Sequence, residues 1–334
     1  MRIAIVGSGA MGIFIGHGIQ KAGYEVTMID LPNRVKRLKT SGQITVADLD
    51  GLESSVSPSL ITSDFAEAGI HQIIILATKA QDLPDAAENI ARLTDGNSII
   101  IPIQNGIPWW YLHGLSDRFK EAQINCLDPE GLLNRYINPS QVIGCVAYPA
   151  VMLEENGRAR HIEGKRFSIG EIIGTQGERT QKVANLFQES GFKCLIIDDI
   201  RSEIWLKAWG ALSINPISAL THATMEDICT FPNTRELVAR MMSEAQQVAE
   251  TLGAHFRHTI EKRIEGAKAV GPHKTSMLQD LENGHPLELD ALMLAVLELA
   301  RLTGIQTPTI RNIYACASLL NWNIQKRYEL KEDA

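Results

Sequence analysis

The stretch Arg2-Ile3-Ala4-Ile5-Val6-Gly7-Ser8-Gly9-Ala10-Met11-Gly12 decides the fold. Its apolar start reads as a buried parallel strand, and the six residues from Gly7 to Gly12 form a G-x-G-x-x-G turn leading into a helix. Gly7 allows the tight turn, Gly9 lets a pyrophosphate approach the backbone, and Gly12 lets the helix lie close against the strand; Ser8, Ala10 and Met11 fill the places between. The helix that opens here offers unpaired N–H groups and a positive dipole end to a phosphate. An amphipathic helix is expected over residues 11–22, with Gly23 closing it, and a second strand over 24–29. That strand ends in Asp30, placed where a carboxylate meets a ribose 2′-OH. A purely structural βαβ turn is the competing reading.

At 334 residues the chain is long for one core, so two domains are expected. Hydrophobic residues make up 45% and charged residues 21%, a globular balance, and the formal net charge of −7 gives no basic footprint for nucleic acid or an anionic membrane. There is no transmembrane-length apolar run. The five cysteines form no C-x-x-C pair and no zinc spacing, so no metal is expected; a reducing, cytoplasmic compartment fits, with each cysteine a small buried hydrophobe.

Beyond Asp30 the chain alternates strands and helices. Arg34, Lys36, Arg37 and Lys39 mark either a solvated helix face or a basic neighbour for the adenosine ribose. Asp30 repels a 2′-phosphate and so favours NADH, whereas a nearby arginine could restore NADPH binding. Short strands are expected over 41–62, a helix capped by Ser63 or Asp64, and an unbroken apolar strand over 72–78. Lys79 lies just past that strand's carboxyl end, the edge where open α/β sheets bind ligands. Another strand over 98–103 runs into Asn105, which reads either as a ligand contact or as an Asx-type turn. Trp109, Trp110 and Tyr111 could wall a cleft, build a subunit contact or pack into the core. One strand is expected within 137–151, further strands over 158–163, 166–170 and 192–197, and a helix over 178–191.

From residue 200 the pattern changes to long helical periodicities. The expected division is a Rossmann-type dinucleotide-binding domain over 1–198 and a helical substrate-binding domain over 199–334, an α/β fold followed by an all-helical part. A helix is expected from 200 to Pro216, others over 224–229, 233–252, 258–270 and 289–302, and a last one over 308–323 before a charged tail. Lys207 stands in an apolar stretch beside Trp205 and Trp209, where it either snorkels or is desolvated enough to donate a proton. Asn215 lies two turns further on the same helix face. Ser276 and Glu288 sit beside apolar runs, where a surface role is equally open.

Taken together, Gly7–Gly12, Thr78-Lys79-Ala80-Gln81, Gln104-Asn105-Gly106, Trp205-Leu206-Lys207 with Asn215-Pro216, Ser276-Met277-Leu278-Gln279-Asp280 and Glu288-Leu289-Asp290 resemble the ketopantoate reductase (2-dehydropantoate 2-reductase) family almost end to end. The resemblance implies a C-terminal domain like that of 6-phosphogluconate dehydrogenase and reduction of ketopantoate to pantoate with NADPH or NADH. It also implies Lys207 as general acid, Glu288 and Ser276 as substrate ligands helped by Asn105 and Asn215, and Lys79 near the nicotinamide. Three positions depart from the family: Ala211 and His273 stand where asparagines are usual, and Leu31 where a basic residue receives the 2′-phosphate. The expected reaction is hydride transfer to a small 2-oxo acid held between the domains. Two other readings stay open, a reductase or dehydrogenase of a different small 2-oxo or 2-hydroxy acid and a non-catalytic dinucleotide-binding regulator. A homodimer through the helical domain is also expected.

Overall fold

A computed structural model describes residues 1–332. The chain forms two compact units. Met1–Gln104, Trp110–Ala122 and Asp128–Ile200 make the first; Asn105–Trp109, Gln123–Leu127 and the chain from Arg201 onward make the second. The strands are β1 (Arg2–Val6), β2 (Glu25–Ile29), β3 (Ile44–Ala47), β4 (Glu53–Val56), β5 (Leu60–Thr62), β6 (Ile73–Leu76), β7 (Ile99–Pro102), β8 (Ile143–Ala147), β9 (Ala150–Leu153), β10 (Ala159–Glu163), β11 (Arg166–Glu171) and β12 (Lys193–Ile196), all in the first unit. Its helices are α1 (Ala10–Lys21), α2 (Pro32–Ser41), α3 (Phe65–Ala68), α4 (Leu83–Ala91), α5 (Leu132–Tyr136) and α6 (Glu178–Glu189).

The central sheet has the order β5-β2-β1-β6-β7, with every pairing parallel. Ile3, Ala4, Ile5 and Val6 of β1 and Ile73 to Leu76 of β6 are buried throughout, as a sheet covered on both faces requires. The strand order reverses at β1, whose chain continues to β2 on one side while β6 pairs on the other. A crevice opens at such a switch point beyond the carboxyl ends of the strands, and this Rossmann-like arrangement puts the glycine turn at its mouth. Two smaller sheets, β4-β3-β10-β9 and β12-β11-β8, complete the unit. The single strand expected within 137–151 is two strands in different sheets. Pro149 between them has no N–H to give a ladder, so β8 ends before it and β9 starts a new one.

Trp110 and Tyr111 are 1% and 0% exposed, which makes them core residues of this unit; Trp109, grouped with the second unit, is buried as well. Cys145, Cys194 and Cys229 are buried, and burial pushes the Cys194 thiol up to about 12. Cys316 is exposed and Cys126 half-buried, which corrects the expectation that all five are buried.

His71, 1% exposed, joins the Gly69 carbonyl (Nδ1, 2.8 Å) and the Thr27 hydroxyl (Nε2, 2.9 Å). Burial, with a smaller effect from the Arg2 charge, lowers its pKa below the ordinary 6.5. His17 on α1 is lowered in the same way by burial and Lys21. As pH falls through 6.5 the unfolded chain takes up these protons before the folded chain does. Folding stability is therefore full above about pH 7 and declines toward acid, by at most about 1.4 kcal/mol per pH unit for each histidine. Thermal melts at pH 7.5 and 5.5 should show the lower Tm at 5.5, and His71→Gln should shrink that difference. An equal difference in the variant would assign it to other groups.

Beyond Ile200, the described residues form helices and no strand: α7 (Ile200–Thr221), α8 (Met225–Thr230), α9 (Pro232–Thr251), α10 (Ile260–Lys268), α11 (Ser276–Glu282), α12 (Ala295–Thr303) and α13 (Pro308–Glu332). A π-helical turn, Asp290–Leu294, leads into α12 where an uninterrupted α-helix is expected. α7 runs through Pro216 instead of stopping there. Proline inside a helix costs about 3 kcal/mol, but Leu212, Ser213 and Ile214 before it and Ile217, Ser218 and Ala219 after it are all buried, so packing holds both turns. Trp205 and Trp209 are fully buried, and Trp209 Nε1 donates to the Met242 carbonyl at 2.6 Å. The start of α13 is capped from α9, where the Glu244 carboxylate accepts from the Thr309 and Ile310 N–H groups at 2.9 and 3.0 Å. α13 continues past 323 to Glu332, through residues with good helix propensity and no breaker. None of the described helices is long and apolar enough to cross a membrane.

Candidate active site

In the first unit the glycine turn has the geometry a pyrophosphate needs. Gly7 takes φ +102° and donates its N–H to the Ile29 carbonyl at 2.8 Å, which ties the turn to the end of β2. A Cβ at Gly12 would overlap the Gly7 carbonyl oxygen, so only glycine allows α1 to start this close to β1. Gly9, the residue that opens α1, has nothing within 4 Å of where its Cβ would stand and supplies no side-chain cap. The first turn therefore has no side-chain cap and no acidic side chain to compete for its N–H groups. These residues fit the pyrophosphate of a dinucleotide.

Asp30 closes the other side of the turn. Its Oδ2 accepts from both the Ser8 N–H and the Ser8 hydroxyl, each at 2.5 Å, and its Oδ1 accepts from the Leu31 N–H at 2.7 Å. Arg34 Nη1 stands 3.8 Å from Oδ2, so this arginine is turned toward the carboxylate. Ser8 thus has a second part: it orients Asp30. Lys79 follows β6 and opens a short 3-10 turn, Ala80–Asp82, at the carboxyl edge of the sheet. Gln104, at the end of the strand expected over 98–103, donates from Nε2 to the Leu76 and Thr78 carbonyls at 2.8 and 3.1 Å and so braces the ends of β6 and β7. Sequence reasoning assigned Gln104 no such job.

The second unit carries the other group. Lys207 is half-buried on α7 and donates from Nζ to Asn105 Oδ1 at 2.6 Å, across 102 residues of sequence. Because Oδ1 takes the lysine, the Asn105 Nδ2 group is left as the donor end of the amide. The loop that presents Asn105 is fixed by the π-helical turn: Ile107 N–H donates to the Ala291 carbonyl at 2.8 Å. Gly106, at φ +86°, lies so close that a Cβ there would overlap that same carbonyl. Glu288, half-buried, stands two residues before the turn. Ala211 and Asn215 are half-buried at one and two turns beyond Lys207, on the same face of α7. Ser276 is exposed at the first position of α11, which Thr275 caps by accepting from the Leu278 N–H. Lys207, Asn105 and the Glu288 arm thus share one packed region of this unit, while Ser276 stands on a separate short helix. Among the described residues, no group of three or more His, Cys, Asp or Glu side chains is arranged to hold a metal.

Comparison with known proteins agrees along almost the full length. The profile of the family described as "Ketopantoate reductase PanE/ApbA" matches residues 3–174, and that described as "Ketopantoate reductase PanE/ApbA C terminal" matches residues 199–321. A 2-dehydropantoate 2-reductase of Mesorhizobium japonicum is 42% identical over 316 residues, covering 94% of this chain and 96% of the relative. In structure, a candidate ketopantoate reductase from Ralstonia solanacearum MolK2 superposes with a TM-score of 0.91 at 30% identity, covering 96% of this chain and 98% of the other. D-mandelate dehydrogenase, solved with NADH and anilino(oxo)acetate, has a TM-score of 0.83 at 20% identity over 97% of this chain and 100% of its own, a likeness of fold.

Proposed function

This chain belongs to the ketopantoate reductase (PanE/ApbA) family and is an NAD(P)-dependent oxidoreductase, and on that premise we propose that it reduces the C2 carbonyl of ketopantoate to the alcohol of pantoate, with NADH as donor and Lys207 as general acid. The observation that carries the reading is the Lys207 ammonium, half-buried and held at 2.6 Å by Asn105 Oδ1. Bound nicotinamide supplies the hydride that C2 receives.

As the carbonyl is reduced, its C=O π bond would break and negative charge would grow on the oxygen. Lys207 Nζ meets that charge and gives up one proton, which completes the alcohol and leaves a neutral amine to be reprotonated by solvent. Asn105 fixes the ammonium through Oδ1, and its Nδ2 group is the donor it would offer to the substrate. Glu288 accepts from the substrate hydroxyl, and Ser276 with Asn215 adds neutral donors and acceptors. On the cofactor side, Gly7 to Gly12 would hold the pyrophosphate, Asp30 would accept from the ribose 2′-OH, and Lys79 would serve the nicotinamide end. Support for NADH over NADPH comes from Asp30, whose carboxylate is fixed by Ser8 and draws Arg34.

Steady-state reduction of ketopantoate with NADH and NADPH side by side tests the whole reading. A kcat/KM above about 10⁴ M⁻¹ s⁻¹ with NADH, and a lower one with NADPH, is expected. Values far below that with both cofactors would reject ketopantoate. One observation favours a second reading in that event: Ala211, between Lys207 and Asn215, presents a methyl group and no donor on the reacting face, which suits a 2-oxo acid with an apolar side chain. A panel of 2-oxo acids separates the two, and turnover of any of them excludes a non-catalytic regulator.

A further inference from the structure

In the arm His285-Pro286-Leu287-Glu288-Leu289, Glu288 stands between two leucines that are each 3% exposed. Pro286 has no N–H to give, and the next donor, the Leu287 N–H, belongs to a buried residue and needs an acceptor within the protein. It donates to Asn321 Oδ1 on α13 at 2.8 Å, across 34 residues of sequence. On the other side of Glu288, the Leu289 N–H donates back to the Leu287 carbonyl at 3.0 Å. That bond closes a three-residue turn with Glu288 at its centre, and the π-helical turn Asp290–Leu294 begins just beyond. Asparagine is a weak helix former, yet Asn321 sits half-buried inside α13 with its oxygen on the arm.

We propose that Asn321 is the positioning residue that sets Glu288 against the substrate hydroxyl. The proposal deepens the reductase reading and rests on its assignment of Glu288 to that hydroxyl. A hydrogen bond to a hydroxyl is short and directional, so a carboxylate displaced by an ångström loses it. Glutamate has three side-chain torsions, and its carboxylate is found in one place only if the backbone beneath it is fixed. The turn at 287–289 fixes that backbone locally, the two buried leucines seat it in the core, and Asn321 ties it to α13. α13 is itself held at its start by the Glu244 carboxylate, so it serves as a strut for the arm. Without an oxygen at 321 the Leu287 N–H has to turn toward another acceptor, which rotates the peptide one residue before Glu288. Asn321 touches neither substrate nor cofactor in this scheme; it acts through Glu288.

The test uses the full-length protein with ketopantoate and with trimethylpyruvate, the same acid with hydrogen in place of the hydroxyl. Asn321→Leu matches asparagine in size and has no acceptor. It should raise KM for ketopantoate about 10-fold, change kcat much less, and leave KM for trimethylpyruvate and the affinity for NADH near wild type. Asn321→Asp keeps an oxygen at the same reach and should recover most of the loss. In a Glu288→Gln background, adding Asn321→Leu should raise KM by no more than about twofold, because the group it positions is already gone. Asn321→Ala decides the matter if Asn321→Leu does not fold. An unchanged KM for ketopantoate, an equal rise with both acids, or a full further rise in the Glu288→Gln background would overturn the proposal and mark Asn321 as a packing residue. A wild-type protein that reduces no 2-oxo acid overturns the reductase reading, and this proposal with it.

Discussion

Lys207→Met should lower kcat for carbonyl reduction by about 10³-fold, within the 10²–10⁴ range that general acids contribute, while NADH binding, read by fluorescence, stays within about twofold. Methionine keeps the length and apolar stem of lysine, so packing beside Leu206 and Ala211 is conserved and the lost element is the ammonium. Lys207→Arg separates the two things an ammonium can do. Arginine keeps the charge that stabilises an alkoxide but does not release a proton at neutral pH. If proton donation is the larger part, Lys207→Arg falls nearly as far as Lys207→Met. The pH profile adds a signature: with a general acid, wild-type kcat declines as pH rises through the pKa of the acid in the complex, and that limb disappears in Lys207→Arg. A Lys207→Arg enzyme with nearly full rate would reassign Lys207 to pure electrostatic stabilisation. A Lys207→Met enzyme with nearly full rate would remove it from the mechanism.

The second large effect is on cofactor choice. Asp30→Asn removes the charge proposed to meet the ribose but keeps an oxygen for the Ser8 N–H, so the glycine turn retains its brace. Repulsion between a carboxylate and a 2′-phosphate a few ångströms away is worth on the order of 1–3 kcal/mol once solvent screening is allowed for. The ratio of kcat/KM for NADPH to that for NADH should therefore rise about 10- to 100-fold. Two contributions add: NADPH loses a repulsion, and NADH loses the acceptor for its ribose hydroxyl. Released from Asp30, Arg34 also becomes a partner for the phosphate. Adding Leu31→Arg should push the ratio further, because Leu31 is 63% exposed and a longer basic side chain costs no core packing. A ratio unchanged in Asp30→Asn would place discrimination elsewhere.

The dinucleotide end of the molecule was open to reading because every signal in it is local: an apolar strand, glycines at fixed spacing, a helix of the right length and a carboxylate at the end of the next strand. The reacting end was not. Lys207 and Asn105 meet across 102 residues, and no periodicity couples a loop after one strand to a helix so far downstream; only likeness to a family linked them. Gln104 escaped for the same reason, since it acts through packing that its neighbours in sequence do not announce. Pro216 misled in the opposite direction. Its local rule is to stop a helix, and buried side chains on both sides overruled it. Pro149 was the reverse: a local rule that did hold, and that splits one expected strand into two.

The two short stretches Asn105–Trp109 and Gln123–Leu127 have a consequence for how the chain can be assembled or divided. They leave the ribosome well before Arg201, yet they finish the second unit: Ile107 donates to Ala291, and the Cys126 N–H donates to Glu298 Oε1 at 3.1 Å. The helical part therefore has to wait for its own last third and then close on segments already in place, which gives it long-range contacts that an up-and-down bundle lacks. A gene cut at residue 200 would yield a helical fragment without Asn105 and without these two donors. Such a fragment would carry Lys207 but not the amide that holds it.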